Sequence, residues 1–401
     1  MSEQYDVVIV GGGMVGLTLA CSLGGSALRV AVLEANPMTR DWPADSIGLR
    51  VSAITHASRK VFNSVGAWQS MVDQRVTAYG EMHVWDAAGD GVIHFDSAEA
   101  GEPSLGYIIE NRIIQAALLH QAEQFENIEL MTPARWQQWH DQQDQVCISL
   151  EDGRQLRTKL LVGADGARSP VREQAGIQTK GWGYDQHAVM AIVKTEQPHL
   201  RTCWQRFLPN GPLAFLPMHD HYSCVVWSTT PEQAAELVAM DDIQFMAQLG
   251  EAFEYRLGRV VEVRERGQFP LRLQHTLDYV KQRIALVGDA AHAIHPLAGQ
   301  GVNLGVLDAA ALAETVLSSH AMRRDIGSLQ NLRRYERWRK GQNVAMMLSM
   351  DGFKRLFGSP LEPVKLARNF GLNATNSLIP VKRLFMEYAM GDRGDLPKLA
   401  S

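Results

Sequence analysis

The sequence predicts an α/β chain in which a parallel-sheet domain is interrupted by a mixed or antiparallel β-sheet domain and followed by C-terminal helices. Three observations predict it. A strand–turn–helix–strand unit opens the chain, from Tyr5 to Glu34. Short alternating strands with hairpin turns fill the middle, between Met82 and Trp227. Beyond Asp308 the pattern is helical to the end, broken near Pro360, Pro363 and Pro380. At 401 residues the chain exceeds what one compact core usually holds, so a composite of two or three units is expected.

Each element has its own signal. Tyr5-Asp-Val-Val-Ile-Val10 is a short β-branched run, read as a buried parallel strand. Leu17 to Leu23 is a helical stretch closed by Gly24-Gly25, and Leu28 to Leu33 is the next strand. Met82–Trp85 and Val92–Phe95 flank the turn-rich Ala87–Gly91, a hairpin signal. Val146, Ile148 and Leu150 alternate with polar residues up to Asp152-Gly153, a second hairpin that leads into Leu160–Val162. Ala188–Val193 and Cys224–Trp227 are further strands, and Arg283–Val287 returns to a buried one. The division this implies is discontinuous. Residues 1–75, 106–180 and 277–330 form a nucleotide domain, 76–105 and 181–276 a β-sheet substrate domain, and 331–401 a helical region.

Composition narrows the class. Hydrophobic content of 46% and charged content of 21% are globular values, and a net charge of −5 argues against a nucleic-acid partner. Cys21, Cys147, Cys203 and Cys224 lie far apart without a C-x-x-C pair, which fits a reduced compartment and offers no metal framework. The N-terminus is acidic where a signal peptide is basic, and no run reaches the roughly 18 apolar residues of a membrane span. The expectation is a soluble cytoplasmic protein.

Three segments carry chemistry. Gly11-Gly-Gly-Met-Val-Gly16 fits G-x-G-x-x-G, with Gly11, Gly13 and Gly16 permitting a tight turn, close approach of a pyrophosphate and close strand–helix packing. The helix N-terminus, at Met14, adds amide donors and positive potential. Glu34 ends the second strand, where a carboxylate can accept both ribose hydroxyls and disfavours a 2′-phosphate. This is a Rossmann-like dinucleotide site, and the glycine triad alone does not separate NAD from FAD. Gly163-Ala-Asp165-Gly166 follows another strand. The third segment is LVGDAAHAIHPLAGQGVNLG, Leu286 to Gly305, where Asp289 ends a strand and a glycine-rich approach enters a helix near Gly301. A strand-end carboxylate can hold the ribityl hydroxyls of a flavin, and the amides of the following helix can face its pyrimidine edge.

With VVIVGGGMVGLTLA, LRVSAIT, LGYIIENRIIQAAL, LVGADGARSPVR, GPLAFLPM and ALVGDAAHAIHPLAGQGVNLGVLDA, nearly the whole chain resembles the single-component flavin aromatic hydroxylases of the para-hydroxybenzoate hydroxylase type. Within them it looks most like the ubiquinone-biosynthesis hydroxylases. The resemblance implies FAD as resident cofactor, NAD(P)H as a transient reductant docking on the same surface, and O2 as co-substrate. By it, Gly11, Gly13, Met14, Gly16 and Glu34 bind the pyrophosphate and adenosine ribose, and Arg112 lies near the phosphates and ribityl chain. Asp289 contacts the ribityl or pyrophosphate. Pro296, Gly299, Gln300, Gly301 and Asn303 contact the isoalloxazine, while Arg50 and Ser52 pass close to the flavin. Asp165 matches an Asp-Gly motif tied to FAD and nicotinamide contacts.

The implied reaction is hydroxylation of the ring of a polyprenylated phenol or quinol. It needs water excluded and a phenol oriented more than it needs acid–base side chains. His292 and His295 are candidate proton-transfer residues, read first as structural hydrogen-bonders. Phe215, Pro217 and Trp227 are candidate substrate-lining residues, with core packing as the competing reading. From Lys354 to Arg383 the chain carries Lys354, Arg355, Lys365, Arg368, Lys382 and Arg383 against Glu362 alone. That stretch reads either as a solvated helical face or as a peripheral contact with the inner membrane surface or with partner enzymes of ubiquinone synthesis. LRRYERWRK reads as a charged surface helix. Two alternatives stand beside this function: an FAD hydroxylase of another aromatic metabolite, and a non-catalytic FAD-binding subunit of the ubiquinone-synthesis complex.

Overall fold

The structure is a computed structural model that describes residues 3–293, 301–359 and 361–401. His295, Pro296, Gly299 and Gln300 lie outside the described residues.

The opening strand, Glu3–Val10, sits between two parallel neighbours, Val30–Leu33 and Gln155–Gly163. Val7, Val8 and Ile9 are fully buried, as a β-branched run covered on both faces must be. Ile128–Met131 and Ile284–Leu286 extend the sheet in parallel on either side. The Gln145–Leu150 and Gln155–Gly163 strands pair antiparallel across the Asp152-Gly153 turn, as that turn predicts. Helix Met14–Leu23 packs on this sheet, and the long helix Gly301–Ala321 packs against it in turn. Gly301–Ala321 corrects one expectation. It is apolar and long enough to cross a membrane, with a mean hydropathy of 1.2, but 72% of that window is buried inside the protein. It is a core helix, apolar over most of its surface because most of that surface is covered.

A second sheet is built from eight strands of the middle of the chain. Its backbone is a pair of 17-residue strands, Thr179–Thr195 and Val260–Thr276, running antiparallel from Thr179 opposite Thr276 to Thr195 opposite Val260. Tyr222–Thr229, Gly211–Pro217, Thr202–Leu208, Glu81–Asp86 and Val92–Asp96 follow in order. The last two form the hairpin foreseen around Ala87–Gly91. A third, three-stranded sheet joins Val51–Ile54, Gly106–Glu110 and Thr77–Tyr79 between the two.

The tail helices fold back on the second sheet. Helix Glu362–Ser377 lays Asn369, Asn373 and Asn376 along the edge strand, where their side-chain oxygens accept the main-chain N–H groups of Gly91 (2.6 Å), Val92 (3.0 Å) and His94 (3.1 Å). An exposed sheet edge is thereby capped by side chains spaced three and four residues apart. Arg368 and Lys382 leave the basic stretch read from the sequence. Both are buried and neutralised, Arg368 by Asp86 (2.5 Å) and Lys382 by Glu99 (2.6 Å). LRRYERWRK is likewise not a plain surface helix, since Leu332, Tyr335 and Arg339 are fully buried.

Candidate active site

Four backbone segments meet around the N-terminus of helix Met14–Leu23. Gly11 has φ +111°, and a Cβ there would stand 2.4 Å from the Ala164 carbonyl oxygen; at Gly16 a Cβ would stand 2.0 Å from the Gly11 oxygen. Larger residues would break this turn at both positions. At Gly13, by contrast, a Cβ would meet none of the described residues within 4 Å. The helix begins there without a side-chain cap from Gly13, which leaves its first amides to other partners. Val15 lies directly on Gly288 and Gly305, which draws the Asp289 segment and the start of helix Gly301–Ala321 to the same place.

The carboxylates stand at the rim of that space. Glu34 Oε2 accepts the Gly12 N–H (2.9 Å) and Oε1 the Asn36 N–H (3.0 Å), which fixes the carboxylate beside the glycine turn. Asp165 Oδ2 accepts the Val171 N–H (3.1 Å), while Oδ1 is buried with no hydrogen-bond partner among the described residues. Burial pushes the Asp165 carboxyl up, against the Ser169 hydroxyl and the Val171 amide that hold it down. Asp289 is solvent-exposed, yet the surrounding protein also pushes its carboxyl up, with His292 and Arg50 opposing. A group both open to solvent and hemmed in by protein lies in a recess.

Arg50 is exposed, with its guanidinium 5.4 Å from the Phe269 ring centroid. Ser52 is buried and donates to Asn111 Oδ1 at 2.7 Å. Arg112 donates to Glu110 (2.8 Å) and to the Ser46 hydroxyl and carbonyl (2.9 and 2.5 Å), and lies over Trp42. The buried Glu110 organises this corner, since it also accepts the Gly48 N–H (2.6 Å) and faces Arg75 (3.0 Å). Nothing in its local sequence marks it; its role comes from strand Gly106–Glu110 ending under that loop. Asn303 is buried, and its side chain is committed to Thr55 N–H (3.0 Å) and to the Ala53 carbonyl (2.7 Å). Its main chain, in the first turn of Gly301–Ala321, is what remains for a ligand.

Two groups of sequence candidates fall elsewhere. His292 is 1% exposed and bonded to Asp308 at 2.5 Å, so it holds structure and does not open into the recess. Phe215 and Trp227 correct the lining expectation. They are 0% and 3% exposed, pack with Ala234, Leu237 and Phe245 of the outer helices, and Phe215 stacks on Phe253 at 3.9 Å. Pro217, of the same strand parity as Phe215, is buried too. Side chains alternate across a strand, so the opposite face carries Leu216 and Val226 with Phe269, packed toward Leu49, Val51 and Ala53. The sequence alternation was legible, but which parity faced inward toward the recess was not.

A turn, two strand-end acids and a helix N-terminus at one point define a dinucleotide-binding protein, and the residues fit FAD: a cradle without a Cβ at Gly13, an Asp165 oxygen unpartnered among the described residues and a carboxylate in a recess at Asp289. Residues 4–346 match the FAD binding domain family. The chain is 40% identical to the ubiquinone biosynthesis monooxygenase COQ6, mitochondrial, of Xenopus tropicalis, over 96% of this chain and 93% of that one. It is 37% identical to the 3-demethoxyubiquinol 3-hydroxylase of Escherichia coli strain K12, over 97% and 99%. The crystal structure of p-nitrophenol 4-monooxygenase PnpA from Pseudomonas putida DLL-E4 superposes with a TM-score of 0.79 at 19% identity, over 98% of this chain and 100% of that one, a likeness of fold. The chain therefore belongs to the FAD-dependent aromatic-ring monooxygenases of the ubiquinone-biosynthesis family.

Proposed function

We propose that this protein hydroxylates the ring of a polyprenylated phenol or quinol in ubiquinone biosynthesis, with FAD resident, NAD(P)H as reductant and O2 as co-substrate. The observation that carries the reading is the gathering of the Gly11–Gly16 turn, the Ala164-Asp165 segment and the Gly288-Asp289 segment around one helix N-terminus. The Gly11–Gly16 turn, with Met14, would hold the pyrophosphate, and Glu34 the adenosine ribose. Arg112 would lie near the phosphates, Asp289 on the ribityl chain, and the main chain of Gly301 and Asn303 at the ring. Bound FAD, once reduced, supplies activated dioxygen for transfer of one oxygen atom to an electron-rich ring.

The chain's own work is positioning and exclusion of water. Leu49, Val51, Leu216, Val226 and Phe269 form a partly exposed apolar layer between strand Val51–Ile54 and the substrate sheet. We assign the aromatic substrate to that layer, with Arg50 at its edge on Phe269. The test supplies the purified protein with NAD(P)H, a short-chain polyprenyl phenol and isotopically labelled O2. One labelled oxygen in the ring product is expected. NAD(P)H oxidation that needs no O2 indicates a reductase instead, and FAD that NAD(P)H cannot reduce indicates a non-catalytic subunit.

A peripheral membrane contact is the second part of the proposal. Leu361, Leu366, Phe370, Leu378, Ile379 and Phe385 are all exposed on the tail helices. Of the basic residues there, Arg368 and Lys382 are internally neutralised, so the apolar side chains carry the contact more than charge does.

A further inference from the structure

The segment Gly288–His292, which carries Asp289, is held from behind by one carboxylate. Asp308 Oδ2 accepts the Gly288 N–H (3.3 Å) on one side of Asp289 and faces His292 Nε2 (2.5 Å) on the other. Its second oxygen accepts from Arg339 Nε (2.9 Å) and Asn343 Nδ2 (3.0 Å). Those four contacts use the full acceptor capacity of a carboxylate. Asp308 and Arg339 are each 0% exposed. Arg339 is fixed further by Gln342 and by Asn343 Oδ1 (3.1 Å), and Asn343 Nδ2 also reaches the Tyr279 hydroxyl (3.3 Å). One turn earlier on the same helix, the Tyr335 hydroxyl donates to the Leu286 carbonyl (2.8 Å), in the strand that ends just before Asp289.

We propose that Asp308, with Arg339 as its fixed counter-charge, is a positioning residue that sets the Asp289 carboxylate for the flavin. The proposal rests on the FAD reading above. A fully buried ion pair adds little net stability, because desolvation offsets most of its attraction. What such a pair does well is fix geometry, since both charges are locked by directional bonds. Here the pair ties two helices, Gly301–Ala321 and Leu329–Gly358, to the two residues that bracket Asp289. His292 completes the set through its Nε2, which meets Asp308 Oδ2 from the far side of the Asp289 segment. Its Nδ1 is buried and has no partner among the described residues. The neighbouring strand residue His275 stands opposite His292 in register.

The test is FAD affinity and the visible circular dichroism of bound flavin in Asp308→Asn, Asp289→Ala and the double variant. Asp308→Asn keeps the side-chain volume and removes the charge. We expect it to weaken FAD binding about tenfold and to alter the flavin dichroism, as losing an outer support of a ligand-holding residue does elsewhere. In the double variant the Asp308 effect should vanish, because it acts through Asp289. Wild-type affinity with unchanged dichroism in Asp308→Asn overturns the proposal, as does a loss that adds in full to that of Asp289→Ala. If Asp308→Asn does not fold, Arg339→Lys, which keeps the charge, is expected to show a smaller loss with the same non-additivity; wild-type affinity there overturns the proposal equally. These results are read against wild-type protein that binds FAD, so they separate from failure of the cofactor reading, in which wild type takes up none.

Discussion

Glu34 and Asp289 each end a parallel strand, but they are held differently. Glu34 is locked by two main-chain amides at the rim of the glycine turn, whereas Asp289 stands open in a recess whose walls are fixed from behind. Both were legible in the sequence, because a strand-end carboxylate that follows a glycine triad (Glu34) or precedes a glycine-rich helix approach (Asp289) has few structural uses. Asp308 and Arg339 were not. Asp308 sits in the middle of an apolar helix and Arg339 in a run of charges, so their meeting depends on a helix crossing no local pattern encodes. The histidines give a pH prediction at this scale. Burial holds His275 down to about 4, helped by His292 and Lys340. Between pH 6.5 and about 4 the unfolded chain therefore binds a proton that the folded one refuses. Stability present above pH 6.5 should fall as the pH drops through that window. The urea midpoint should be lower at pH 5 than at pH 7.5, and His275→Asn should narrow the gap. His83, His199 and His219 are lowered by burial in the same sense, so some difference should persist.

Among the elements, the opening β-α-β unit was readable because apolar runs, glycines and a terminal acid coincide within one short stretch. Strand Val260–Thr276 was not, since Arg264, Glu265, Arg266 and Pro270 interrupt any apolar period. It exists through pairing with Thr179–Thr195, a tertiary override of local propensity. The tail helix Glu362–Ser377 was foreseen as a helix but not as an edge cap. Arg368 should prove the anchor of that cap. Arg368→Ala leaves Asp86 buried without its counter-charge and should cost about 3–5 kcal/mol in urea unfolding. Lys365→Ala, which removes the pair with the exposed Glu362, should change stability by no more than about 0.5 kcal/mol. Equal costs in the two variants would mean that the tail does not depend on this contact.

For the molecule as a whole, the fold gathers turns from distant parts of the chain onto one helix N-terminus and sets an apolar layer opposite. The exposed face of the tail helices gives a prediction about where it works. Phe370→Ser combined with Leu366→Ser should reduce co-sedimentation with phospholipid vesicles, with little dependence on salt. Unchanged binding would place the membrane contact elsewhere or remove it. The central claim, a flavin seated between the Gly11–Gly16 turn and Asp289, is tested most directly by FAD content and anaerobic reduction of the purified wild type, Glu34→Ala and Asp289→Ala. A yellow wild type, weaker FAD retention in both variants and slowed reduction by NAD(P)H in Asp289→Ala are predicted. A wild type that takes up no added FAD, or full occupancy and reduction in both variants, would contradict it.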